Sequence, residues 1–107
     1  MNDIPEFIYG HYFKVPVCVT GDYVFRFEET TEGTFAHCDV HKWNKTVQKR
    51  LIQSWNSIAT NHGGPLFGLN ENRDKKKAKF LKLLGFRWLC LHEDHEIWIW
   101  RNNGFTI

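Results

Sequence analysis

The sequence predicts a domain of the α/β (α+β) class. It has a mixed, mostly antiparallel sheet of about six strands and two helices. Several short segments alternate apolar and polar residues with the period of a strand, and turn residues separate them. Two longer segments carry apolar residues at helical spacing instead. The 107 residues, 42% of them apolar, suffice for one domain and one hydrophobic core. We therefore predict a single domain over residues 1–107, in which 1–14 form an N-terminal extension or an edge strand.

Three strands are predicted in the first half of the chain. Val15–Thr20 is rich in β-forming residues and ends at a Gly-Asp turn signal, after which Tyr23–Glu28 alternates between apolar and polar residues. A second turn leads to Thr34–His41, which alternates again. This alternation places Phe35, His37, Asp39 and His41 on one face of the third strand and Ala36, Cys38 and Val40 on the other.

The apolar period changes to that of a helix after residue 44. Over Thr46–Thr60 the apolar residues form the stripe of an amphipathic helix, and Asn44 is its candidate cap. A second helix is predicted over Lys75–Leu84, and Gly85 closes it. The lysines of this second helix make up the dense basic run of the chain, which indicates a solvated helix face.

Three further strands complete the predicted sheet: Pro65–Leu69 between the helices, then Phe86–Leu91 and Glu96–Arg101 as a closing hairpin. Crossovers between parallel strands are right-handed, so two crossovers that advance in the same direction put both helices on the same face. Trp55 and Trp88 are predicted to be core residues. The last strand presents tryptophan on one face and isoleucine on the other, so it is either sandwiched or meets a partner.

Composition disfavours several function classes. The net charge is +2, from 14 basic and 12 acidic residues, which argues against nucleic acid as a partner. Cys18, Cys38 and Cys90 form no CxxC pair and lie in apolar segments, a pattern typical of buried free cysteines in a reducing compartment. The N-terminus lacks an apolar signal core, and no segment approaches the roughly 18 apolar residues of a membrane span. We therefore expect a cytoplasmic protein with no membrane insertion.

The segment Asp74–Phe86, DKKKAKFLKLLGF, resembles the last helix of the GCN5-related N-acetyltransferase (GNAT) family and the Leu-Gly-Phe that closes it. His37–Trp43, with the helix after it, stands where that family has its cofactor strand and cofactor helix. The resemblance covers Val15–Arg101 and implies a GNAT-like core. In that family the cofactor strand splays from its neighbour. The resemblance therefore also implies that backbone groups near Asp39–His41 pair with the pantetheine arm of acetyl-CoA.

Three features depart from the family pattern. The loop that should hold the pyrophosphate, Lys42–Lys49, contains no glycine, so its backbone approaches a diphosphate less closely. Leu81 stands where the family has a proton-donating tyrosine. The strand and helices that build the acceptor side in the family have no counterpart in the predicted elements. The candidate cofactor-binding residues are Val40, His41, Lys42, Lys45, Thr46 and Val47. We predict that acetyl-CoA binds weakly or that there is no cofactor.

His41 and Asp39 are the candidate catalytic residues, because a histidine near a carboxylate can serve as a base toward an amine. The same strand face, with His37, also has a spacing that suits metal ligands. A structural zinc needs a second cluster, for which His92 and His95 are the candidates. We predict no metal site, with solvated or interface histidines as the default.

Two functions from different classes remain open. The histidines around the cofactor strand and the lysines before the last helix look like those of small GNAT-like proteins of tailed bacteriophages, some of which are virion components. We favour a non-catalytic or degenerate GNAT-like protein that acts through protein binding. Its partners would be a host or virion protein and copies of itself, in the bacterial host cytoplasm or in the virion. The alternative is an acetyl-CoA-dependent N-acetyltransferase with an atypical cofactor loop.

Overall fold

The computed structural model describes residues 13–102, and its elements follow the predicted order. The strands are β1 (Lys14–Val19), β2 (Tyr23–Thr30), β3 (Gly33–Val40), β4 (Leu66–Asn70), β5 (Arg87–His92) and β6 (His95–Trp100), and the helices are α1 (Lys45–His62) and α2 (Lys75–Leu83). A short 3₁₀ turn, Glu71–Arg73, precedes α2 and is an element that the sequence pattern does not predict. Of the predicted N-terminal extension, 1–14, only the last two residues lie within the described range, and Lys14 begins β1.

The six strands form one mixed sheet in the order β1-β2-β3-β4-β6-β5. β3 and β4 are parallel, and the other neighbouring pairs are antiparallel. The predicted fold class, a mixed and mostly antiparallel six-stranded sheet with two helices, is therefore confirmed. The predicted element boundaries agree with the observed ones to within two residues.

A tight turn sets the register of β2 against β3. Gly33, the first residue of β3, has a φ of 137°, and a Cβ at this position would lie 2.6 Å from Cε2 of Phe67. Only glycine accommodates both the backbone angle and the close approach of the ring. The resulting register places Arg26 directly opposite His37. The pairing across this hairpin thereby decides which charged side chains meet on β2 and β3.

Both helices pack on the same face of the sheet, as the two crossovers predict. The buried residues of α1 are Val47, Leu51, Trp55 and Ala59. The indole of Trp55 contacts the ring of Phe25 on β2, with a centroid distance of 5.5 Å. It also contacts Phe86 and Trp100, at 5.2 and 5.8 Å. We call this side of the sheet the covered face.

The second helix is held by its cap, its closing glycine and one close contact with the sheet. Asp74 caps α2 by accepting a hydrogen bond from the backbone N–H of Lys76 at 2.8 Å. Gly85, with a φ of 96°, ends it. Leu81 packs directly onto Gly68 of β4, where a Cβ would lie 2.8 Å from Cδ2 of Leu81. The missing side chain at Gly68 therefore allows α2 to approach the sheet.

The prediction that Trp88 is a core residue is wrong, because its side chain is 51% exposed. Cys90, predicted to be buried, is exposed as well. The physical reason is the strand order: β5 is the last strand beyond β6, and every residue of it is exposed. Trp55 is fully buried as predicted.

Within residues 13–102, no helix lies on the opposite side of the sheet, which we call the helix-free face. Its β2 and β3 residues, given by the pleat and the register, are Val24, Arg26, Glu28, Phe35, His37 and Asp39. Phe35 meets Phe67 of β4 at a centroid distance of 5.6 Å. Arg26, Glu28, His37 and Asp39 therefore lie together on the helix-free face of β2 and β3.

Candidate functional site

The parallel junction of β3 and β4 is short. Only Thr34 and Phe35 pair with β4, opposite Leu66 and Phe67, whereas β2 and β3 pair along eight residues and β4 and β6 along five. β4 therefore follows β6 and diverges from β3. Among the described strands, none pairs with the β4 side of β3 from Ala36 onward.

A cavity of about 540 Å³, which we call the cleft, lies along the part of β3 beyond its pairing with β4, and the turn and helix that follow β4 border it on the other side. Its lining includes the consecutive β3 residues Ala36–Val40. Apolar side chains from both helices and the sheet line the interior, among them Phe25, Trp55, Leu81 and Phe86. The charged residues of the lining include Lys14, Glu71, Lys76 and Lys77.

The cavity is bordered by side chains of both faces of the sheet. Ala36 and Cys38 share the covered face with Phe25, while His37 and Asp39 share the helix-free face with Arg26, and all of them belong to the lining. A ligand in the cleft would therefore meet apolar groups on the covered face, ionisable groups on the helix-free face, and Lys76 and Lys77 of α2.

Two polar pairs border the cleft on the helix-free face. His37 Nε2 lies 2.8 Å from Oε1 of Glu28, and Arg26 forms an ion pair with Asp39. Burial lowers the pKa of His37, and the nearby cations Lys14 and Lys77 act in the same direction, while the bond to Glu28 opposes them. Burial is the largest of these effects, so the imidazole is neutral at neutral pH.

Cys38 lies beside this pair on β3 but faces the helices. Burial raises the pKa of its thiol to about 12, and the carboxylate of Asp39 and the neighbouring Cys18 add to that shift. The thiolate is the nucleophilic form of cysteine, and it is scarce at neutral pH with such a pKa. The raised pKa therefore argues against a nucleophilic role for Cys38, which packs in the cleft wall.

Of the predicted site residues, Asp39 and Val40 belong to the cavity lining, and His41, Lys42, Lys45, Thr46 and Val47 are not among its described members. The backbone N–H groups of His41 and Lys42 both donate to the carbonyl of Asp22, at 2.7 and 3.3 Å. Asp39 pairs with Arg26 and forms no described hydrogen bond with His41. The predicted arrangement of His41 beside Asp39 as an oriented base is thus not observed in the described hydrogen bonds.

The N-terminus of α1 is occupied by its own cap. Oδ1 of Asn44 accepts a hydrogen bond from the N–H of Val47 at 2.8 Å, and the Val47 side chain is buried. Lys45 and Thr46 are exposed, and the first turn contains no acidic residue. Trp43 packs against Phe80, a cavity-lining residue, with a centroid distance of 6.1 Å, which brings this loop next to the cleft.

The sequence pattern places His37 and Asp39 on a common face, but it does not show their partners. Glu28 and Arg26 become partners through the hairpin register, which the two-residue turn between β2 and β3 determines. The turn length is therefore the sequence signal that identifies this cluster. The α2 lysines are exposed as predicted, and Lys77 additionally lines the cavity.

Across residues 13–102, no group of three or more His, Cys, Asp or Glu side chains is placed to hold a metal ion. The same part of the chain contains no helix that is both long and apolar enough to cross a membrane.

Comparison with known proteins identifies no relative: no family model, no curated protein and no solved structure matches this chain.

Proposed function

We propose that this chain is a shortened GNAT-like domain that binds acetyl-CoA weakly in the cleft beside β3 and transfers its acetyl group to an amine. The observation that carries the proposal is the divergence of two parallel strands after two residue pairs, with the free side of β3 lining a cavity. Such a strand offers unpaired backbone groups to an extended, amide-containing ligand. The pantetheine arm of acetyl-CoA is a ligand of this kind.

The size and lining of the cleft support an elongated ligand. A volume of about 540 Å³ lies within the range of small-molecule sites, which is about 300 to 1,000 Å³. Trp55 lines the cavity, and its buried Nε1 has no hydrogen-bond partner in the described part of the chain. An indole N–H of this kind is a donor that a ligand carbonyl would satisfy.

Acetyl-CoA is expected to bind weakly because the N-terminus of α1 is already capped by Asn44. Because Asn44 already accepts the Val47 N–H, a diphosphate at the N-terminus of α1 has fewer backbone donors. Each missing hydrogen bond to a charged group costs about 1.5 to 3 kcal/mol, or about 10- to 100-fold in affinity. Lys45 and the α2 lysines are exposed and attract phosphate, but exposed charges are screened by salt.

Transfer is expected to be slow, because the acid position of the family holds Leu81. This side chain is 6% exposed and packs on Gly68, so it belongs to the core and donates no proton. A thiolate leaving group needs little acid assistance, so the loss of this donor slows the reaction but does not prevent it.

Isothermal titration of the chain with acetyl-CoA and with CoA tests the proposal. We expect a saturable site with a dissociation constant above the low micromolar range. Lys77→Glu, on the charged part of the lining, should weaken binding, whereas the matched control Lys49→Glu, on the exposed side of α1, should not. The absence of saturation at millimolar acetyl-CoA, or equal weakening by the two variants, contradicts the proposal.

A second candidate function is protein binding, and the exposed edge strand β5 supports it. Trp88, Leu89 and Leu91 are 51, 43 and 49% exposed on a strand that is the last of the described sheet. Exposed apolar edge strands add strands from other chains. The resemblance to small bacteriophage proteins implies that the partner is a host or virion protein or a second copy of the chain.

Light scattering over a wide concentration range tests self-association through this edge. Leu89→Lys should shift the protein toward monomer, and the control Leu83→Lys, which places the same charge on α2, should leave the mass unchanged. A monomer at all concentrations contradicts self-association through β5.

A further inference from the structure

A histidine and a glutamate lie together at the helix-free side of the cleft. His37 on β3 and Glu28 on β2 are joined by a 2.8 Å hydrogen bond, and His37 belongs to the cavity lining. Both side chains are largely buried, with 25 and 20% of their surfaces exposed. The pair therefore has a defined orientation and is open toward the cavity.

The hydrogen bond decides which ring nitrogen is basic. An ionised carboxylate only accepts hydrogen bonds, so Nε2 of the neutral imidazole donates its proton to Glu28. The lone pair then lies on Nδ1, for which no hydrogen bond occurs within residues 13–102. An imidazole oriented in this way by a carboxylate is the arrangement of a general base.

The charged groups around His37 come from several elements of the fold. They are Lys14 on β1, Arg26 and Glu28 on β2, Asp39 on β3 and Lys77 on α2, with Glu71 lining the same cavity. Arg26 is paired with Asp39, which reduces its effect on the histidine. Burial lowers the pKa of His37, so at neutral pH the ring is available to take up a proton.

We propose that His37, positioned by Glu28, is the general base that deprotonates a primary amine acceptor at the helix-free side of the cleft. This inference rests on the proposed acetyl transfer. It assigns the base to a different residue from His41, which is exposed and is not among the described cavity residues.

The reaction balances with acetyl-CoA and a primary ammonium as the two reactants. Nδ1 of His37 takes one proton from the ammonium group and later releases it to water. The neutral amine attacks the thioester carbonyl, so a C–N bond forms and the C–S bond breaks. The remaining excess proton on nitrogen passes to the departing thiolate, which leaves as CoA thiol, and the acceptor leaves as its acetamide.

The test measures CoA thiol release from acetyl-CoA with spermidine and with a lysine-containing peptide, as a function of pH. The wild-type rate should decline on the acid side as His37 becomes protonated. His37→Gln should lower the rate at neutral pH by about 10²- to 10⁴-fold while keeping acetyl-CoA binding and the melting temperature. The control His92→Gln, at an exposed position on β5, should behave as wild type.

Glu28→Gln separates a positioning role from a merely structural one. The Glu28 carboxylate favours the imidazolium, so its removal lowers the pKa of His37 further and should move the acid limb of the rate profile to lower pH. An unchanged rate and pH profile in His37→Gln overturns the assignment of His37 alone. No thiol release with either amine despite acetyl-CoA binding overturns the proposed acetyl transfer and this assignment with it. Failure of the wild type to bind acetyl-CoA at all overturns this assignment together with the proposed function.

Discussion

The two faces of the sheet are built from the same strands but serve different purposes. On the covered face, Phe25 and Leu66 are 1 and 0% exposed and pack with Trp55 of α1. On the helix-free face, β2 and β3 present an ion pair and the hydrogen-bonded His37 and Glu28. Apolar burial stabilises the fold from one side, which leaves the other side free to carry ionisable groups next to the cleft. Substitutions on the two faces should therefore differ in size and in kind.

The largest effect is expected for Trp55→Ala on the covered face. Trp55 is fully buried and contacts aromatic rings of three other residues. Removal of a buried tryptophan side chain costs about 3 to 5 kcal/mol of unfolding free energy, from lost transfer energy and the cavity left behind. Urea unfolding measures the loss. Trp43→Ala, at a tryptophan that is 47% exposed, is the control, and equal losses would contradict the assigned core.

A smaller loss is expected for Gly68→Ala, at the contact between α2 and β4. The added Cβ would lie 2.8 Å from Leu81 and 3.3 Å from Phe86. Overpacking of this kind costs about 1 to 3 kcal/mol of unfolding free energy. Gly21→Ala is the matched control, since a Cβ there meets no atom within 4 Å. The same denaturation experiment compares the two, and a Gly68→Ala protein as stable as Gly21→Ala would disprove close packing of α2 on β4.

The cap of α1 should contribute less again. Asn44→Ala removes the acceptor of the Val47 N–H and should cost about 1 kcal/mol, whereas Asn44→Gly should cost only a few tenths. Asn44→Gly also frees that N–H for an anion, so it should tighten acetyl-CoA binding by about 10- to 100-fold if the N–H reaches the phosphate. Thermal melting and titration calorimetry measure the two effects, and unchanged affinity in Asn44→Gly would exclude a diphosphate at this helix end.

The smallest change is expected on the helix-free face, in the pH dependence of stability. Because burial lowers the pKa of His37 below its ordinary value of 6.5, the unfolded chain binds the proton more readily than the folded one. The stability that depends on a neutral His37 is therefore present above pH 6.5, and it is lost as the pH falls toward the lower pKa of the folded state. His37→Gln should flatten the stability profile in that window compared with His92→Gln. Identical profiles would mean that His37 is not desolvated in the folded chain.

Local structure could be predicted from the sequence because its signals are local. Asn44 caps the first helix and Gly85 ends the second, where the pattern predicts them. Trp88 shows the limit of this approach. Its apolar neighbours resemble a core strand, but its exposure depends on the position of β5 at the edge of the sheet, which is a property of the strand order.

The candidate site was harder to predict than the fold, because its geometry depends on contacts distant in sequence. The periodicity places His37 and Asp39 on one face of β3, yet it does not reveal that Asp39 pairs with Arg26. It also does not reveal that Leu81 is held in the core by its contact with Gly68. These contacts follow from strand register and helix packing. In each pair, Arg26 with Asp39 and Gly68 with Leu81, the two residues are 13 positions apart in the sequence.

The short junction between β3 and β4 has a consequence for how the chain unfolds. Two residue pairs and the contact of Phe35 with Phe67 join β1–β3 to β4–β6 within the sheet, and α1 adds a second connection across the covered face. Trp55 touches Phe25 in the first group of strands and Phe86 and Trp100 at the second. We therefore expect the helix to couple the two three-stranded units, so that they melt in a single cooperative transition rather than one after the other.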